Sequence, residues 1–221
     1  MAELSKLSLG DQAYGTLLKR ILSGGIQDGE RLVIDRLAKE FGVSLIPIRE
    51  ALARLHGQGL VEYTSNQGYR VAPPPTEEDY KRLFKARLAI EYGALHIGFG
   101  KVDEGFIRTL EDLNEKISHI KPAKPGKLFD TFVKLNERFH LELVSLSGSP
   151  QLIQAYDKIG YGPQIGRRMY ARGVPDIKNN IREHNAIISA LKSGDEKVAL
   201  AALEAHILEG LARFTGDASS A

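Results

Sequence analysis

The sequence predicts a mainly α protein in two parts. The first is an N-terminal winged helix-turn-helix of three helices with a small β-hairpin wing, and the second is an all-α helical bundle. Three observations predict this. The run from Leu37 to Val71, LAKEFGVSLIPIREALARLHGQGLVEYTSNQGYRV, reads as helix, tight turn, helix and hairpin. Ala72-Pro73-Pro74-Pro75-Thr76 is a stiff break, because successive prolines favour an extended polyproline conformation and exclude a helix. Beyond that break the apolar periodicity is helical almost to the C-terminus.

An upstream helix is marked by Tyr14, Leu17, Leu18, Ile21 and Leu22. In the second helix Asp35 is the expected N-cap, and Leu37, Ala38 and Phe41 form a short apolar face. Gly42 suits its end, because glycine enters left-handed backbone space cheaply. Ser44 is the expected N-cap of the third helix, with Pro47 in the first turn, where a missing N–H costs nothing. Ile48, Ala51, Leu52 and Leu55 repeat at helical spacing and should face inward, leaving Arg49 and Arg54 outward. Leu60, Val61 and Tyr63 read as a strand, Tyr69 and Val71 as its partner, and Thr64 to Gly68 as the turn of the wing. Such a module lays its third helix into the DNA major groove, and a helix N-terminus beside Ser44 and Arg49 suits phosphate and base-edge contacts. The alternative on local physics is a helical hairpin on a small sheet with no role at DNA.

Bulk composition agrees. The chain has 221 residues and a net charge of only +2, so any basic face is local. Lys19, Arg20, Arg31, Arg36, Lys39, Arg49, Arg54 and Arg70 all fall in the first third, diluted by Glu40, Glu50 and Glu62. There is no cysteine, which excludes disulfides and thiolate metal sites. The N-terminus has no apolar signal-peptide core, and no apolar run approaches the ~20 residues of a membrane span. The expected location is the cytoplasm.

After the prolines, Thr76 with Asp79 has the pattern of a capping box. The helix that follows runs through Leu83, Leu88 and Ile90 to about Leu95, and further helices are expected near 103–120, 127–147, 150–171, 177–192 and 196–214. Breaks fall at Lys121-Pro122, Gly148-Ser149-Pro150, Gly173-Val174-Pro175 and Ser193-Gly194-Asp195, connections short enough for a bundle of six or seven helices. The expected domains are 1–72, a linker at 73–76, a helical domain at 77–216 and a frayed tail at 217–221.

Three of these helices each turn a histidine toward the bundle interior. The stripes are Phe132, Asn136, His140 and Leu143; Ile181, His184, Ile188 and Leu191; and Ala199, Leu203, His206 and Gly210. A buried imidazole needs a hydrogen bond or a metal ion, and bundles supply metal ligands from facing helices in this way. The alternative for each is a core histidine bonded to a carbonyl. His56, His96 and His119 have no such setting and are read as structural or surface residues.

The runs VSLIPIREALARLHGQGLV and NQGYRV closely resemble the DNA-binding domain of the GntR family of bacterial transcription regulators, from about Asp11 to Val71. The resemblance implies that Arg49 contacts the operator and that Ser44 and the wing residues Gln67 and Gly68 approach the DNA backbone or minor groove. The family commonly has an arginine directly after the serine; here Leu45 and Ile46 stand there, so either the operator differs from the common family sequence or Arg36 and Lys39 carry more of the binding. The second part resembles the FCD effector domain of the FadR-like branch, on NERFHLELVSLSGSPQL and REHNAIISALKSGDEKVALAALEAHI. In that domain an aspartate and three histidines commonly hold a divalent metal. The matching positions here are Asn136, His140, His184 and His206, and the ion implied by three imidazoles is zinc or nickel. In Arg87-Leu88-Ala89-Ile90-Glu91 the arginine is a candidate to bind an effector carboxylate, with a structural salt bridge as the alternative. Arg138, Arg167, Arg168 and Arg172 are further candidates to reach a cavity.

The function implied is a ligand-responsive transcription regulator of repressor type and not an enzyme. It binds a near-palindromic double-stranded operator as a homodimer and is modulated by a small organic acid. The competing readings are a metal-dependent enzyme built on the three histidines, against which no acidic residue is evident beside them, and a DNA-binding protein without metal or effector.

Overall fold

In the computed structural model, residues 7–120, 125–159 and 177–215 are described. Among them one unit ends at Pro74 and a second begins at Pro75. In the first unit, α1 (Leu9–Leu22) opens on a capping box made by Ser8 and Asp11. A short strand β1 (Arg31–Leu32) precedes α2 (Ile34–Phe41) and α3 (Leu45–Gly57), and the hairpin β2 (Val61–Thr64) and β3 (Gly68–Val71) follows. The wing is therefore a three-stranded antiparallel sheet of order β1-β3-β2, with Val61 opposite Val71 and Tyr63 opposite Tyr69. The expected two-stranded hairpin gains Arg31–Leu32, which the sequence left as a lead-in because two residues are too short to show alternation.

Leu17 and Ile21 of α1, Leu37 of α2, Ile48, Leu52 and Leu55 of α3 and Leu32, Val61 and Val71 of the sheet make one buried cluster. Truncating any of the fully buried leucines to alanine would cost about 2–5 kcal/mol. Gly42 ends α2 in the left-handed region at φ 66°, as expected. Asp35 does not cap α2: Val33 occupies the N-cap position without a side-chain bond, and Asp35 lies inside the first turn. There its charge still favours the positive end of the helix dipole. Ser44 does occupy the N-cap position of α3, but its side chain makes no capping bond.

The second unit contains α4 (Glu77–Gly98), α5 (Glu104–Ser118), α6 (Pro125–Ser145), α7 (Pro150–Ile159), α8 (Ile177–Lys192) and α9 (Glu196–Thr215). The Thr76–Asp79 capping box is formed, each side chain bonding the other residue's backbone N–H. A short 3-10 turn, Phe99–Lys101, extends α4 past the expected end. Helix α4 packs against α6, α7 and α9, while α5 packs against α6 and α8, and α8 against α9. Gly98 makes one of these contacts possible, because a Cβ there would lie 2.5 Å from the Leu146 backbone. Gly148 and Gly194, at φ 69° and 72°, turn the chain between α6 and α7 and between α8 and α9. The expected breaks at Lys121-Pro122 and Gly173-Val174-Pro175, the end of the 150–171 helix and the frayed tail lie outside the described residues. Among the described residues no helix is long and apolar enough to cross a membrane.

Candidate functional site

The outward face of the first unit is built by α3. Its inward residues, Pro47, Ile48, Ala51, Leu52 and Leu55, are buried, so Arg49 is held out to solvent. Six of the basic residues of the first third divide into two groups. Arg54 lies 3.9 Å above the Tyr14 ring and 3.6 Å from Asp11. Arg20 pairs with Glu40 at 2.6 Å, and Arg70 donates to the Gly29 carbonyl at 3.0 Å. These three are tied to the protein's own fold. Arg36, Lys39 and Arg49 are exposed, and among the described residues their side chains make no hydrogen bond or ion pair. Ser44 and Gln67 are exposed and Gly68 is half-buried. The wing turn closes through Gln67 N–H donating to Thr64 O at 3.1 Å, with Asn66 and Gly68 at φ 64° and 77°. The six residues expected at DNA are thus presented on α2, the start of α3 and the wing turn.

The second unit brings His140 of α6, His184 of α8 and His206 of α9 together in the interior. All three are buried, and one ring nitrogen of each lies within 4.8 Å of the others. The second nitrogen of each ring has a partner. Glu91 Oε2 accepts from His140 Nδ1 at 2.8 Å, and Glu183 Oε2 accepts from His206 Nδ1 at 2.8 Å. Asn114 Oδ1 accepts from His184 Nδ1 at 3.2 Å. The amide orientation of Asn114 is fixed because its Nδ2 donates to Ile181 O and Asn185 Oδ1. A neutral imidazole that donates through Nδ1 has a lone pair on Nε2. The three outer contacts therefore turn the three Nε2 atoms toward one another. Among the described residues His184 Nε2 has no hydrogen-bond partner, nor does the buried Asn136 Oδ1 one turn before His140. Phe139 stacks flat on the His184 ring at 3.8 Å and fixes its plane.

Arg87 is also buried. Its Nε donates to Glu91 Oε1, and its Nη2 lies 2.7 Å from His140 Nε2. Burial pushes the Glu91 carboxyl up, and the Arg87 guanidinium opposes that shift. Burial holds all three imidazoles well below the ordinary histidine range, with the Arg87 charge adding to the effect. Near neutral pH the rings are therefore uncharged, the form that can ligate a cation. Convergent Nε2 atoms, orphaned buried acceptors and carboxylate or amide partners behind each ring fit a divalent metal.

The structure corrects one expectation and narrows others. Two acidic residues do stand beside the histidines, Glu91 and Glu183, but both bond the Nδ1 side and orient the rings. Glu183 is in turn held by both terminal nitrogens of Arg213, at 2.5 and 2.8 Å. Sequence reading missed Glu91, Asn114, Glu183 and Arg213. The available signal was a polar residue inside an apolar stripe: Asn114 stands among Leu110, Leu113 and Ile117, and Glu183 precedes Ile187 and Ala190. Arg138 is on the surface, paired with Glu142 at 2.5 Å, and does not enter the site. Arg167, Arg168 and Arg172 lie outside the described residues. His56 bonds Val61 O, His96 pairs with Glu196 and His119 bonds Glu115 O, and none of them belongs to the three-histidine group.

A family model described as the FCD domain matches residues 82–209, and one for bacterial regulatory proteins of the gntR family matches residues 9–71. The chain belongs to the GntR family. It is a DNA-binding transcription regulator of that family with an FCD domain, and its relatives are regulators, not enzymes. A relative described as the uncharacterized HTH-type transcriptional regulator YdhC of Bacillus subtilis (strain 168) is 29% identical over 195 residues, covering 88% of this chain and 86% of its own. The gluconate operon transcriptional repressor of Bacillus licheniformis is 27% identical, covering 90% and 82%. Among solved structures, E. coli McbR/YncC superposes with a TM-score of 0.75 at 21% identity, covering 97% of this chain and 100% of that one, a likeness of fold.

Proposed function

We propose that this GntR-family regulator is a repressor whose operator binding responds to a small carboxylate, with a divalent cation held by His140, His184, His206 and Asn136. The observation that carries the reading is the convergence of three buried Nε2 atoms whose Nδ1 atoms are all taken, together with a buried Asn136 Oδ1, one turn before His140, that has no partner among the described residues. Three neutral imidazoles and an amide oxygen favour zinc or nickel over hard cations such as magnesium. When bound, the ion would supply a positive centre that attracts a carboxylate oxygen. Arg87, whose Nη2 lies at His140 Nε2, supplies the guanidinium for the same anion. Several relatives are named repressors, those of D-xylose utilization in Paenarthrobacter nicotinovorans and GlaR of E. coli among them, which supports that sign of control.

The operator is double-stranded and near-palindromic, bound by a homodimer that places one α3 in each half-site, and the protein works in the cytoplasm where its DNA lies. Arg36, Lys39, Ser44, Arg49, Gln67 and Gly68 form the DNA face. The linkage is reciprocal: an acid that weakens operator binding binds less well to the DNA complex.

The test is a titration of a selected operator duplex with protein stripped by chelator and with protein reloaded with zinc or nickel, each against a panel of mono-, di- and tricarboxylic acids. The reading expects at least one acid to release the operator from the reloaded protein and to have a weaker effect on the stripped form. Identical titrations in every condition would overturn it.

A further inference from the structure

The first turn of α3 carries an apolar face that the core does not use. Leu45 is 38% exposed and Ile46 is 67% exposed. They precede Arg49 by four and three residues, so the helical repeat puts all three on the outward side. Ala53, a further turn along, is exposed as well and keeps that side low. The one acid of α3, Glu50, has its carboxylate against Gly10 of α1. Helix α2, packed against α3, adds the exposed Arg36 and Lys39. An isoleucine this exposed gains little from folding, while the uncommitted cations Arg36, Lys39 and Arg49 on the two packed helices call for a polyanion. In the DNA major groove the apolar complement to such side chains is the 5-methyl group of thymine.

We propose that Leu45 and Ile46 are specificity residues that read thymine 5-methyl groups in each operator half-site, beside the base or phosphate taken by Arg49. The inference rests on the operator-binding function of the family and adds a base preference to it. A cytosine at the same place lacks the methyl, and a purine presents polar N7 and N6 or O6 atoms to two side chains that cannot bond them. The apolar pair thus selects thymine partly by leaving the edges of the other bases unpaired.

The experiment uses the full chain. Binding duplexes are selected from a random pool, and each thymine of the winning sequence is replaced singly by deoxyuridine, which removes only the methyl. At one thymine or more per half-site the affinity should fall about fourfold, the factor that ~0.8 kcal/mol for one buried methyl-sized group gives. In Ile46→Ala or Leu45→Ala the same replacement should cost much less, while Arg49→Ala should keep the deoxyuridine penalty. Equal affinity for every thymine and deoxyuridine duplex would overturn the inference with operator binding intact. So would an Ile46→Ala protein that changes its subunit count but keeps the full deoxyuridine penalty, which would assign the patch to self-association. Failure to enrich any duplex would overturn the operator-binding function itself, and the inference with it.

Discussion

His140 Nε2 and His206 Nε2 lie 3.1 Å apart in the interior of the helical domain, and the other nitrogen of each ring already serves a carboxylate. With the protons on Nδ1, the two lone pairs face each other, a repulsive contact unless something positive lies against them. Burial disfavours protonating either ring. Arg87 supplies part of the missing charge through Nη2 at His140 Nε2. A divalent cation on the same nitrogens would supply it more fully, which is the physical basis of the proposed metal site.

Removing that arginine should be costly without any ligand. Arg87→Ala leaves Glu91, which is fully buried, without its charged partner. Breaking a buried pair from one side costs about 3–5 kcal/mol, whereas replacing both members by apolar residues of similar volume is often neutral. Urea unfolding of the full chain should show that loss for Arg87→Ala and recover part of it in Arg87→Met with Glu91→Gln, where the neutral amide oxygen still accepts from His140 Nδ1. A single mutant within about 1 kcal/mol of the parent would contradict a structural ion pair.

The residues behind the rings should tune metal affinity without touching the ion. Glu183→Gln weakens the acceptor on His206 Nδ1, and Asn114→Ala removes the one on His184 Nδ1. Each should reduce zinc affinity by about 10–100-fold in competition with a chelating dye. Unchanged affinity in both variants would mean that the ion, if bound, is not held by these imidazoles.

On the DNA face, two arginines of α3 should behave differently. Arg49→Ala should lower operator affinity by about 1–3 kcal/mol if it reads a base, with little effect on unfolding. Arg54→Ala should instead lose about 0.5–1 kcal/mol of stability, because its guanidinium is stacked on Tyr14. Lys39→Ala should flatten the salt dependence of binding by a slope of about 1. Fluorescence anisotropy at several salt concentrations, with thermal unfolding alongside, separates the three outcomes. Equal effects from Arg49→Ala and Arg54→Ala would argue against this division of roles.

The start of α4 should be pH-sensitive through its cap. The Thr76 hydroxyl and backbone N–H donate to Asp79 and hold its carboxyl below the ordinary range. A depressed folded pKa means that the stabilisation is present above the ordinary carboxylate range and is lost as pH falls through the folded value. NMR titration should find the Asp79 pKa raised in Thr76→Ala. No change would show that the hydroxyl contributes nothing to the cap in solution.

Much of this was legible because it follows from periodicity and punctuation. Glycine at a left-handed position after α2, prolines at the boundary and the histidine stripes on three helices each carry a local signal. The α3 core positions are all buried as their spacing required. What was not legible depends on long-range pairing. Arg31–Leu32 becomes a strand only because β3 lies beside it, and Asp35 loses the cap to Val33 because strand β1 sets where α2 begins. Glu91, Asn114 and Glu183 come from three helices, and nothing local in their sequence ties them to a particular imidazole.

The most direct measurement is native mass spectrometry of the full chain after exposure to zinc or nickel and removal of excess metal, compared with His140→Ala and His184→Ala. The account predicts a folded dimer retaining about one divalent ion per subunit, and variants that stay folded and dimeric but lose the ion. A metal-free parent protein, or variants that retain full occupancy, would contradict the three-histidine centre.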